Sequence, residues 1–438
     1  MKRSNIRKKN IKLEVSKMKN EFLKELEWRG LINDCTDLEA IDALLEEGNI
    51  TLYCGFDPTA NSLHIGSLLP ILMLKRFQLA GHKPLALVGG ATGLIGDPTG
   101  RSDERQVNSK ETVIQWSESI KTQLSQFLEF GNGLTSAELV NNYDWTSNVS
   151  MIEFLRDWGK HFNLNYMLAK DSVCSRLEHG MTFTEFSYSI LQGMDFKHLY
   201  ETKKCVLQIG GSDQWGNITS GLEAIRKTLG HEEKAVGLTM PLVTKSDGTK
   251  FGKTAGGAIW LDRAKTTPYE MYQFLINTAD NDVVKFIKYF TFLSKEEIIE
   301  IEEAFNAAPH ERLAQKTLAK EVVSIVHGES AYEQALKITA ALFAGNIKEL
   351  TPNEIEVGFK DVPSVEFSEA LNLVDALVNA KVASSKREAR EFITNNSIAI
   401  NGEKISDLEF MISRENAIDE KFTVIRRGKK KYFLIKHV

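Results

Sequence analysis

The stretch TLYCGFDPTANSLHIGSLLP, residues 51–70, predicts a strand, a turn and then a helix. It begins with a short apolar run, turns through Asp57-Pro58-Thr59, and places apolar residues at 65, 68, 69, 72 and 73. This last spacing is typical of one face of a helix. A strand followed directly by a helix is the first half of a βαβ unit.

Two other runs repeat the strand pattern. PLALVGG at 84–90 and CVLQIGG at 205–211 are apolar and end in glycine, which predicts buried strands. Strands that alternate with helices favour a parallel sheet, so the predicted fold class is α/β with a Rossmann-like parallel sheet. Ligands of such sheets bind beyond the carboxyl ends of the strands. We therefore expect the functional residues to follow these three runs.

The composition is that of an ordinary globular protein. The chain has 438 residues, of which 42% are hydrophobic, and a formal net charge of −5. This length accommodates roughly three domains. No apolar run reaches the ~18 residues that a membrane helix needs, so we expect no membrane partner. The negative net charge excludes a simple polycation, and any contact with nucleic acid has to come from local basic patches.

The cysteines and the N-terminus bear on location. Cys35, Cys54, Cys174 and Cys205 form no C-x-x-C pair, which argues against a zinc site or a redox motif. Scattered cysteines in a large chain fit reduced thiols, and we expect a cytoplasmic protein. Residues 1–20 are basic but have no apolar core, so they are not a secretory signal. A solvated tail, a start at Met18 or a targeting peptide remain as interpretations.

Changes of pattern along the chain predict its organisation. The strand–helix rhythm is interrupted by helical spacing from about 110 to 200, and helical spacing returns from 268 to 345, with Ser294 as an N-cap. A stretch rich in proline and glycine follows, and then two short helices and two hairpins, the first turning at Asn401-Gly402. The expected segments are a basic tail (1–20), a Rossmann-like domain (21–265) with a helical insertion (about 110–200), a helical domain (266–348), a linker (349–367) and a small α+β domain (368–438).

His64 stands where the predicted helix begins. The first turn of a helix has unpaired backbone N–H groups and the positive end of the helix dipole, a setting that attracts phosphate. His64 adds a donor there, and Gly66 leaves room for a flat ring against the backbone. A histidine that only caps or packs is the alternative, and the H-x-G pattern by itself favours that alternative.

A lysine loop is the second candidate element. TKSDGTKFGKTAGGAIWL, residues 244–261, places Lys245, Lys250 and Lys253 around Gly248 and Gly252. Glycines make a loop mobile and lysines supply point charges, a combination that suits binding of a leaving polyphosphate. A solvated basic loop is the alternative. The Walker A pattern is absent, which argues against a P-loop enzyme.

Three polar segments complete the set. GGATGLIGDPTGRSDER (89–105) offers glycines for close backbone approach and Asp97 for a cation. TEFSYSILQGMDF (184–196) places Tyr188, Gln192 and Asp195 on one helix face, which predicts either a hydrogen-bonding pocket or a half-exposed surface. IGGSDQWGN (209–217) exposes Asp213 and Gln214 at a strand end.

Taken together, these elements resemble a class I aminoacyl-tRNA synthetase. HIGS stands at the position of that family's HIGH-type signature and KFGKT at that of its KMSKS-type loop. YCGFDPTANSLHIG, GDPTGR, SYSILQGMDF and GGSDQWGN are similar to the bacterial tyrosyl branch, and the C-terminal domain resembles an S4-like RNA-binding domain. The resemblance implies a homodimer through the inserted segment, with Trp116, Phe127, Trp158 and Phe162 as interface candidates, although core packing explains these aromatics equally well.

The resemblance also implies roles for individual residues. Tyr53 and Asp195 would bind the phenol of L-tyrosine, Gln214 would lie near its carboxylate, and the α-ammonium would be bound by Asp97, Tyr188 and Gln192. Thr59 and His64 would contact the γ-phosphate side of ATP and Asp213 its ribose, and the pyrophosphate would be bound by Lys250, Lys253, Thr254, Arg101 and Arg105. The remaining nucleotide contacts would come from Gly55, Asp57, Gly66, Ser67 and Gly211.

The implied chemistry is attack of the tyrosine carboxylate on the α-phosphorus of ATP, followed by transfer of the tyrosyl group to tRNA(Tyr). Catalysis would consist of positioning and charge stabilisation. Mg²⁺ would come with ATP, and the protein would supply few or no metal ligands. Two departures from the family pattern stand out: Ser67 replaces the second signature histidine, and the lysine loop lacks the methionine and serine of KMSKS.

A basic cluster at the C-terminus predicts contact with the tRNA backbone, with the helical domain near the anticodon. Its members are Lys386, Arg387, Arg390, Arg426, Arg427, Lys429 and Lys430. A solvated charge run is the alternative. Three other functions are considered: tryptophanyl-tRNA synthetase, disfavoured by Tyr53 with Asp195; a small-molecule nucleotidyltransferase, which needs no S4-like end; and a non-catalytic RNA-binding protein, which would have lost the lysines or the acids.

Overall fold

Two compact units make up the chain. The computed structural model describes residues 18–99, 108–177, 180–254, 257–360, 362–428 and 431–438. The first unit holds the described residues up to Lys265 together with 279–314, and the second holds 266–278 and 315–438. This division differs from the expected boundaries, because residues 266–348 do not form one separate helical domain.

A six-stranded sheet forms the centre of the first unit. Its strands are β1 (Asp34–Cys35), β2 (Thr51–Phe56), β3 (Lys83–Val88), β4 (Glu138–Asn141), β5 (Cys205–Gly211) and β6 (Val236–Met240). They lie in the order β1-β6-β5-β2-β3-β4, and all neighbouring pairs are parallel except β1 with β6. The α/β, Rossmann-like prediction is confirmed, and β5 has the predicted bounds.

Helices cover this sheet. They are α1 (Glu21–Trp28), α2 (Leu38–Glu47), α3 (Ile65–Leu79), α4 (Thr92–Ile95), α5 (Lys110–Phe127), α6 (Tyr143–Thr146), α7 (Met151–Glu153), α8 (Leu164–Leu168), α9 (Asp171–Leu177), α10 (Phe183–Lys203) and α11 (Trp215–Leu229). A short hairpin, β7 (Lys253–Thr254) with β8 (Gly257–Ala258), follows β6. Helix α10 packs on the sheet and on α11, and Tyr53, Phe196 and Leu199 share one buried cluster.

The second unit begins with α12 (Pro268–Ile276). The chain then returns to the first unit for α13 (Asp280–Phe290) and α14 (Lys295–Ala307). Ser294 caps α14 through a capping box with Glu297, as predicted. The later helices are α15 (Leu313–His327), α16 (Glu329–Ala344), α17 (Pro352–Gly358), α18 (Leu373–Asn379) and α19 (Lys386–Thr394).

A five-stranded sheet lies near the end of the second unit. Its strands are β9 (Ser364–Phe367), β11 (Ile398–Ile400), β12 (Glu403–Lys404), β14 (Phe422–Arg427) and β15 (Lys431–His437), and β10 (Leu371–Asn372) pairs separately with β13 (Met411–Ile412). The β11–β12 turn has positive φ at Asn401 (48°) and Gly402 (91°), which is the predicted tight hairpin.

Two predicted segments were wrong. The linker 349–367 contains α17, whose Ile355 is buried, and β9, which pairs with β15. Proline there starts a helix rather than interrupting the chain, because proline suits the first helical turn. The insertion at 110–200 is not wholly helical, since it supplies β4, an edge strand of the main sheet.

Some predicted residues lie outside the described part of the chain. These are most of the basic tail (1–17), Arg101, Arg105, Lys429 and Lys430, and the side chain of Thr254. Among the helices that the structure describes, none is long and apolar enough to cross a bilayer.

Candidate active site

A cavity of about 190 Å³ lies at the carboxyl ends of β2 and β5. We call it the Tyr53 cavity. It brings together all six residues that were predicted to bind tyrosine: Tyr53, Asp97, Tyr188, Gln192, Asp195 and Gln214. Three of them come from one face of α10, as the spacing of four and seven residues requires. The alternative of a half-exposed surface is wrong, because Tyr188 and Asp195 are buried.

Tyr53 offers an unused hydroxyl to this cavity. Its side chain is 1% exposed, and no described residue hydrogen-bonds its hydroxyl oxygen. Burial, followed by the charge of Asp195, raises the pKa of Tyr53, so the phenol is protonated at neutral pH. Leaving a buried hydroxyl without a partner costs about 1–3 kcal/mol. The position therefore fits a hydroxyl that waits for a ligand.

Asp195 is held by two donors. Trp145 Nε1 donates to Oδ1 at 2.9 Å, and Asn142 Nδ2 donates to Oδ2 at 2.9 Å. Burial nevertheless raises the pKa of Asp195 to about 7, with the two hydrogen bonds opposing that shift. The carboxyl group is thus fixed in orientation and close to its titration point at neutral pH.

Asp97 also lines the Tyr53 cavity, and two donors hold its carboxylate. Gln214 Nε2 donates to Asp97 Oδ2 at 2.7 Å, and the backbone N–H of Thr99 donates to Asp97 Oδ1 at 2.9 Å. Gln192 lines the same cavity, and within the described residues its buried Oε1 accepts no hydrogen bond. Carboxylate and amide oxygens in one cavity suit an ammonium group.

A second, larger cavity of about 690 Å³ adjoins the first. We call it the His64 cavity. Gly55, Asp57, Pro70 and Gly211 line both cavities. The other residues predicted for ATP and phosphate that line it are Thr59, His64, Gly66, Ser67, Asp213, Lys250 and Lys253. Desolvation and then the charge of Asp97 raise the pKa of Asp213.

His64 is the N-cap of α3. The backbone N–H of Gly66 donates to His64 Nδ1 at 3.0 Å, so the neutral ring carries its proton on Nε2. Desolvation, followed by Lys253 and Lys250, lowers the pKa of His64. Capping and ligand contact are therefore compatible, because the cap uses one ring nitrogen and leaves the other as a donor. A Cβ on Gly66 would lie 2.7 Å from His64 Cε1, so the ring position requires glycine.

The lysine loop lies against the start of α3. Ile65 N–H donates to the carbonyl of Ile259, and Ile259 N–H donates to the carbonyl of Gly252, at 2.8 and 2.9 Å. Gly252 has φ +86°, and a Cβ there would lie 2.3 Å from Ile65 Cγ2. Lys250 and Lys253 are exposed and line the His64 cavity. The loop backbone at Gly252 and Ile259 thus lies directly beside the first residue of α3.

Four residues of the site were not predicted from the sequence. Asn142, Trp145, Thr92 and Gln208 either hydrogen-bond the predicted acids or line the Tyr53 cavity. Asn142 follows directly after β4, at the carboxyl end of a parallel strand, where functional polar residues are expected. It was not predicted because residues 110–200 were interpreted as helical, so the strand was not recognised. Gln208 is buried within β5, and no sequence signal distinguished it from a core position.

Comparison with known proteins identifies the family. Residues 45–344 match the family described as tRNA synthetases class I (W and Y), and residues 354–435 match the tyrosine–tRNA ligase SYY-like C-terminal domain. The tyrosine–tRNA ligase 1 of Bacillus anthracis is 62% identical over 95% of this chain and 100% of its own length. This chain belongs to the tyrosine–tRNA ligases.

Solved structures of this class agree with the fold. A C-terminally truncated mitochondrial tyrosyl-tRNA synthetase of Aspergillus nidulans is 33% identical, with a TM-score of 0.67 over 76% of this chain and 97% of that one. A tryptophanyl-tRNA synthetase of Encephalitozoon cuniculi is only 14% identical, with a TM-score of 0.52 over 72% of this chain and 87% of that one. That second likeness shows the fold alone. The aminoacyl-tRNA synthetase prediction is confirmed, and the tryptophanyl alternative is wrong.

Five of the seven basic residues predicted to contact tRNA lie in the described part of the second unit. Lys386, Arg387 and Arg390 are exposed along α19, and Lys386 pairs with Asp375. Arg426 and Arg427 end β14 and are half-buried. Arg427 also has a structural contact, because its guanidinium lies 5.0 Å from the ring centroid of Phe392.

The inserted segment of this chain has an apolar surface, formed by exposed side chains between residues 151 and 183. Six residues between 151 and 183 expose at least half of their surface: Met151, Ile152, Leu155, Leu164, Tyr166 and Phe183. The four aromatics proposed for an interface are less exposed. Phe127 is buried, and Trp116 is half-buried. Trp158 and Phe162 pack against a buried cluster of Met167, Ile190 and Met194. Three of the four therefore take part in packing within the chain, which is the alternative that the sequence left open.

Proposed function

We propose that this chain forms tyrosyl-adenylate from L-tyrosine and ATP in the two adjoining cavities. The observation that supports this most is that Gly55, Asp57, Pro70 and Gly211 line both cavities. An amino acid in the Tyr53 cavity and a nucleotide in the His64 cavity would then meet at these residues. Bringing two bound reactants into one geometry is itself a large part of catalysis.

The phenol of tyrosine would complete the polar end of the Tyr53 cavity. A phenol donates one hydrogen bond and accepts others, so it can donate to Asp195 and accept from Tyr53. Asp195 already has its two donors and a fixed orientation, whereas the Tyr53 hydroxyl lacks a partner among the described residues. Phenylalanine would leave that hydroxyl unpaired, which explains the selection against it.

The α-ammonium group would lie among Asp97, Tyr188 and Gln192, and the carboxylate near Gln214. Gln214 donates a hydrogen bond to Asp97. Gln214, proposed to lie near the carboxylate, therefore positions Asp97, which is proposed to bind the ammonium group. The carboxylate of tyrosine would then point from the Tyr53 cavity towards the His64 cavity, where the α-phosphorus of ATP would lie.

Phosphate binding would come from the start of α3 and the lysine loop. His64 Nε2–H and the hydroxyl of Thr59 would contact the phosphates, and Lys250 and Lys253, together with Thr254, Arg101 and Arg105, would stabilise the leaving pyrophosphate. Asp213 would contact the ribose, beside Gly211 and Ser67. Mg²⁺ would arrive with ATP and offset phosphate charge, with few or no ligands from the protein.

The third substrate would be tRNA(Tyr), whose 3′-terminal adenosine takes the tyrosyl group. Lys386, Arg387, Arg390, Arg426, Arg427, Lys429 and Lys430 would bind its phosphate backbone through the S4-like domain. A cytoplasmic location stays a prediction.

We also propose a homodimer through the apolar surface at 151–183. Exposed apolar side chains in one segment are typical of interaction sites when they form a patch, and a second copy would bury them symmetrically. Sedimentation would give a mass of twice the 49.2 kDa of one copy. Ile152→Glu would lower the measured mass to that of one copy. A single-copy mass for the unaltered protein would contradict this.

The proposed reaction is tested by tyrosine-dependent exchange of pyrophosphate into ATP, measured with each of the twenty amino acids. We expect exchange with tyrosine alone, and loss of it in Asp195→Ala. Exchange with another amino acid, or unchanged exchange in Asp195→Ala, would contradict the assignment of the Tyr53 cavity.

A further inference from the structure

Asp282 lies in the first turn of α13, within the first unit, and its side chain is 2% exposed. A buried carboxylate is costly unless hydrogen bonds satisfy it. Asp282 lies far along the sequence from the lysine loop, yet its oxygens face the beginning of that loop. It is not among the residues that line either cavity.

Three hydrogen bonds join α13 to the loop, and a fourth links two residues of α13. Asp282 Oδ2 accepts from the backbone N–H of Ser246 at 3.0 Å and from its hydroxyl at 3.2 Å. Lys285 Nζ donates to Asp282 Oδ1 at 3.0 Å and to the carbonyl of Thr244 at 2.8 Å. The carboxylate therefore fixes Ser246, and Lys285 fixes both the carboxylate and the backbone at Thr244, where the loop begins.

The middle of the loop is fixed by packing. Phe251, between the two lysines of the motif, is buried against Phe286 and Phe290 of the same helix, at centroid distances of 4.3 and 5.4 Å. Gly252 then packs on Ile65, next to His64. Helix α13 thus sets both the entry of the loop and the backbone between Lys250 and Lys253.

We propose that Asp282 is a positioning residue for adenylate formation: its hydrogen bonds to Ser246 hold the lysine loop where Lys250 and Lys253 can meet the leaving pyrophosphate. This rests on the proposed role of those two lysines. Asp282 touches neither reactant. Its loss would let the loop entry move, and displacement of a catalytic group by about 1 Å can cost about 100-fold in rate.

The test compares Asp282→Asn, Asp282→Glu and Ser246→Gly with Asp280→Asn, which removes the same charge from an exposed position of the same helix. Pyrophosphate exchange gives kcat and the KM values for tyrosine and ATP, and equilibrium dialysis gives the tyrosine Kd. We expect kcat to fall about tenfold or more in Asp282→Asn and Ser246→Gly. In these two variants the tyrosine Kd and the thermal midpoint should stay close to those of the parent. Asp282→Glu should recover part of kcat, and Asp280→Asn should have the kcat of the parent.

Two outcomes would overturn the inference. One is a kcat within about twofold of the parent in both Asp282→Asn and Ser246→Gly. The other is a parallel loss of tyrosine affinity and thermal midpoint in both, which would mean a general structural role. Ser246→Gly decides the matter if Asp282→Asn fails to fold, because Ser246 is exposed. Failure of exchange in the parent would instead overturn the proposed function, so the two failures are distinguishable.

Discussion

The hydroxyl of Tyr188 donates a hydrogen bond to Oδ2 of Asp57 at 2.8 Å. Tyr188 belongs to α10 and Asp57 follows β2, so this bond joins a wall of the Tyr53 cavity to a residue that lines both cavities. Thr92 donates to the other oxygen of Asp57 at 2.7 Å. The sequence assigned the two residues to different substrates, whereas the fold makes them one unit.

Tyr188→Phe should therefore impair the use of both substrates. Removing the hydroxyl takes one donor from the half-buried carboxylate of Asp57. A hydrogen bond to a charged group contributes about 1.5–3 kcal/mol, so we expect KM to rise about tenfold for tyrosine and for ATP in pyrophosphate exchange. Tyr200→Phe is the matched control, because Tyr200 is on the same helix but bonds Glu233. An effect on tyrosine alone would contradict the coupling.

Tyr53→Phe should lower specificity without lowering stability. No hydrogen bond within the described residues is lost with that hydroxyl, so the thermal midpoint should hold or rise. The ratio of kcat/KM for tyrosine over phenylalanine should fall by about tenfold or more. Exchange assays with both amino acids measure this. A midpoint that drops by several degrees would mean that the hydroxyl already has a partner in the free protein.

Gly66→Ala should slow adenylate formation. The new methyl group would meet the His64 ring at 2.7 Å, and the ring would have to rotate away from its cap. We expect kcat of exchange to fall about tenfold or more with little change in tyrosine Kd. Gly131→Ala serves as control, since its Cβ would approach only Ser136 Oγ, at 3.3 Å. Parent-like kcat in Gly66→Ala would argue against His64 as a phosphate donor.

Tyrosine binding should weaken as pH falls through neutrality. Burial raises the pKa of Asp195 to about 7, so the free protein loses the charged acceptor of the phenol below that pH. Tyrosine Kd should rise by up to about tenfold per pH unit there and be flat above it. The same raised pKa makes the free energy of unfolding fall progressively as pH rises from about 4 to about 7, because the unfolded chain ionises Asp195 at a lower pH than the folded protein does. No further change is expected above about pH 7.

Equilibrium dialysis across this pH range measures the effect, and Asp195→Asn is the control that should abolish the pH dependence. A tyrosine Kd that stays constant between about pH 5.5 and 8 would show that the carboxyl titrates well below neutrality in the free protein.

Arg390→Glu should affect tRNA and leave adenylate formation intact. Arg390 is exposed on α19 in the second unit, and reversing its charge opposes the phosphate backbone. We expect KM for tRNA(Tyr) to rise about tenfold, with a weaker salt dependence, and pyrophosphate exchange to match the parent. Lys234→Glu, an equal charge change at an exposed position of the first unit, is the control. Equal tRNA kinetics in both variants would favour a merely solvated charge run.

Local pattern was sufficient for much of the fold. β2, β5, the start of α3 at Ile65 and the Asn401-Gly402 hairpin follow from apolar runs, helical spacing and turn chemistry, all of which act over a few residues. The predictions failed where distant pairing decides. β4 is a short strand within a helical stretch, and it exists because β3 offers an edge to pair with.

The sequence by itself determined which residues have chemistry: Tyr53, His64, Asp195 and the lysines of residues 244–254 stand in recognisable order along the chain. Only the tertiary structure decided that Asp195 is held by Asn142 and Trp145, that Tyr188 bonds Asp57, and that Asp282 fixes Ser246. The physical reason is that these bonds join residues far apart in sequence. Their partners become neighbours only when the sheet brings its strand ends to one edge and α13 packs beside the loop.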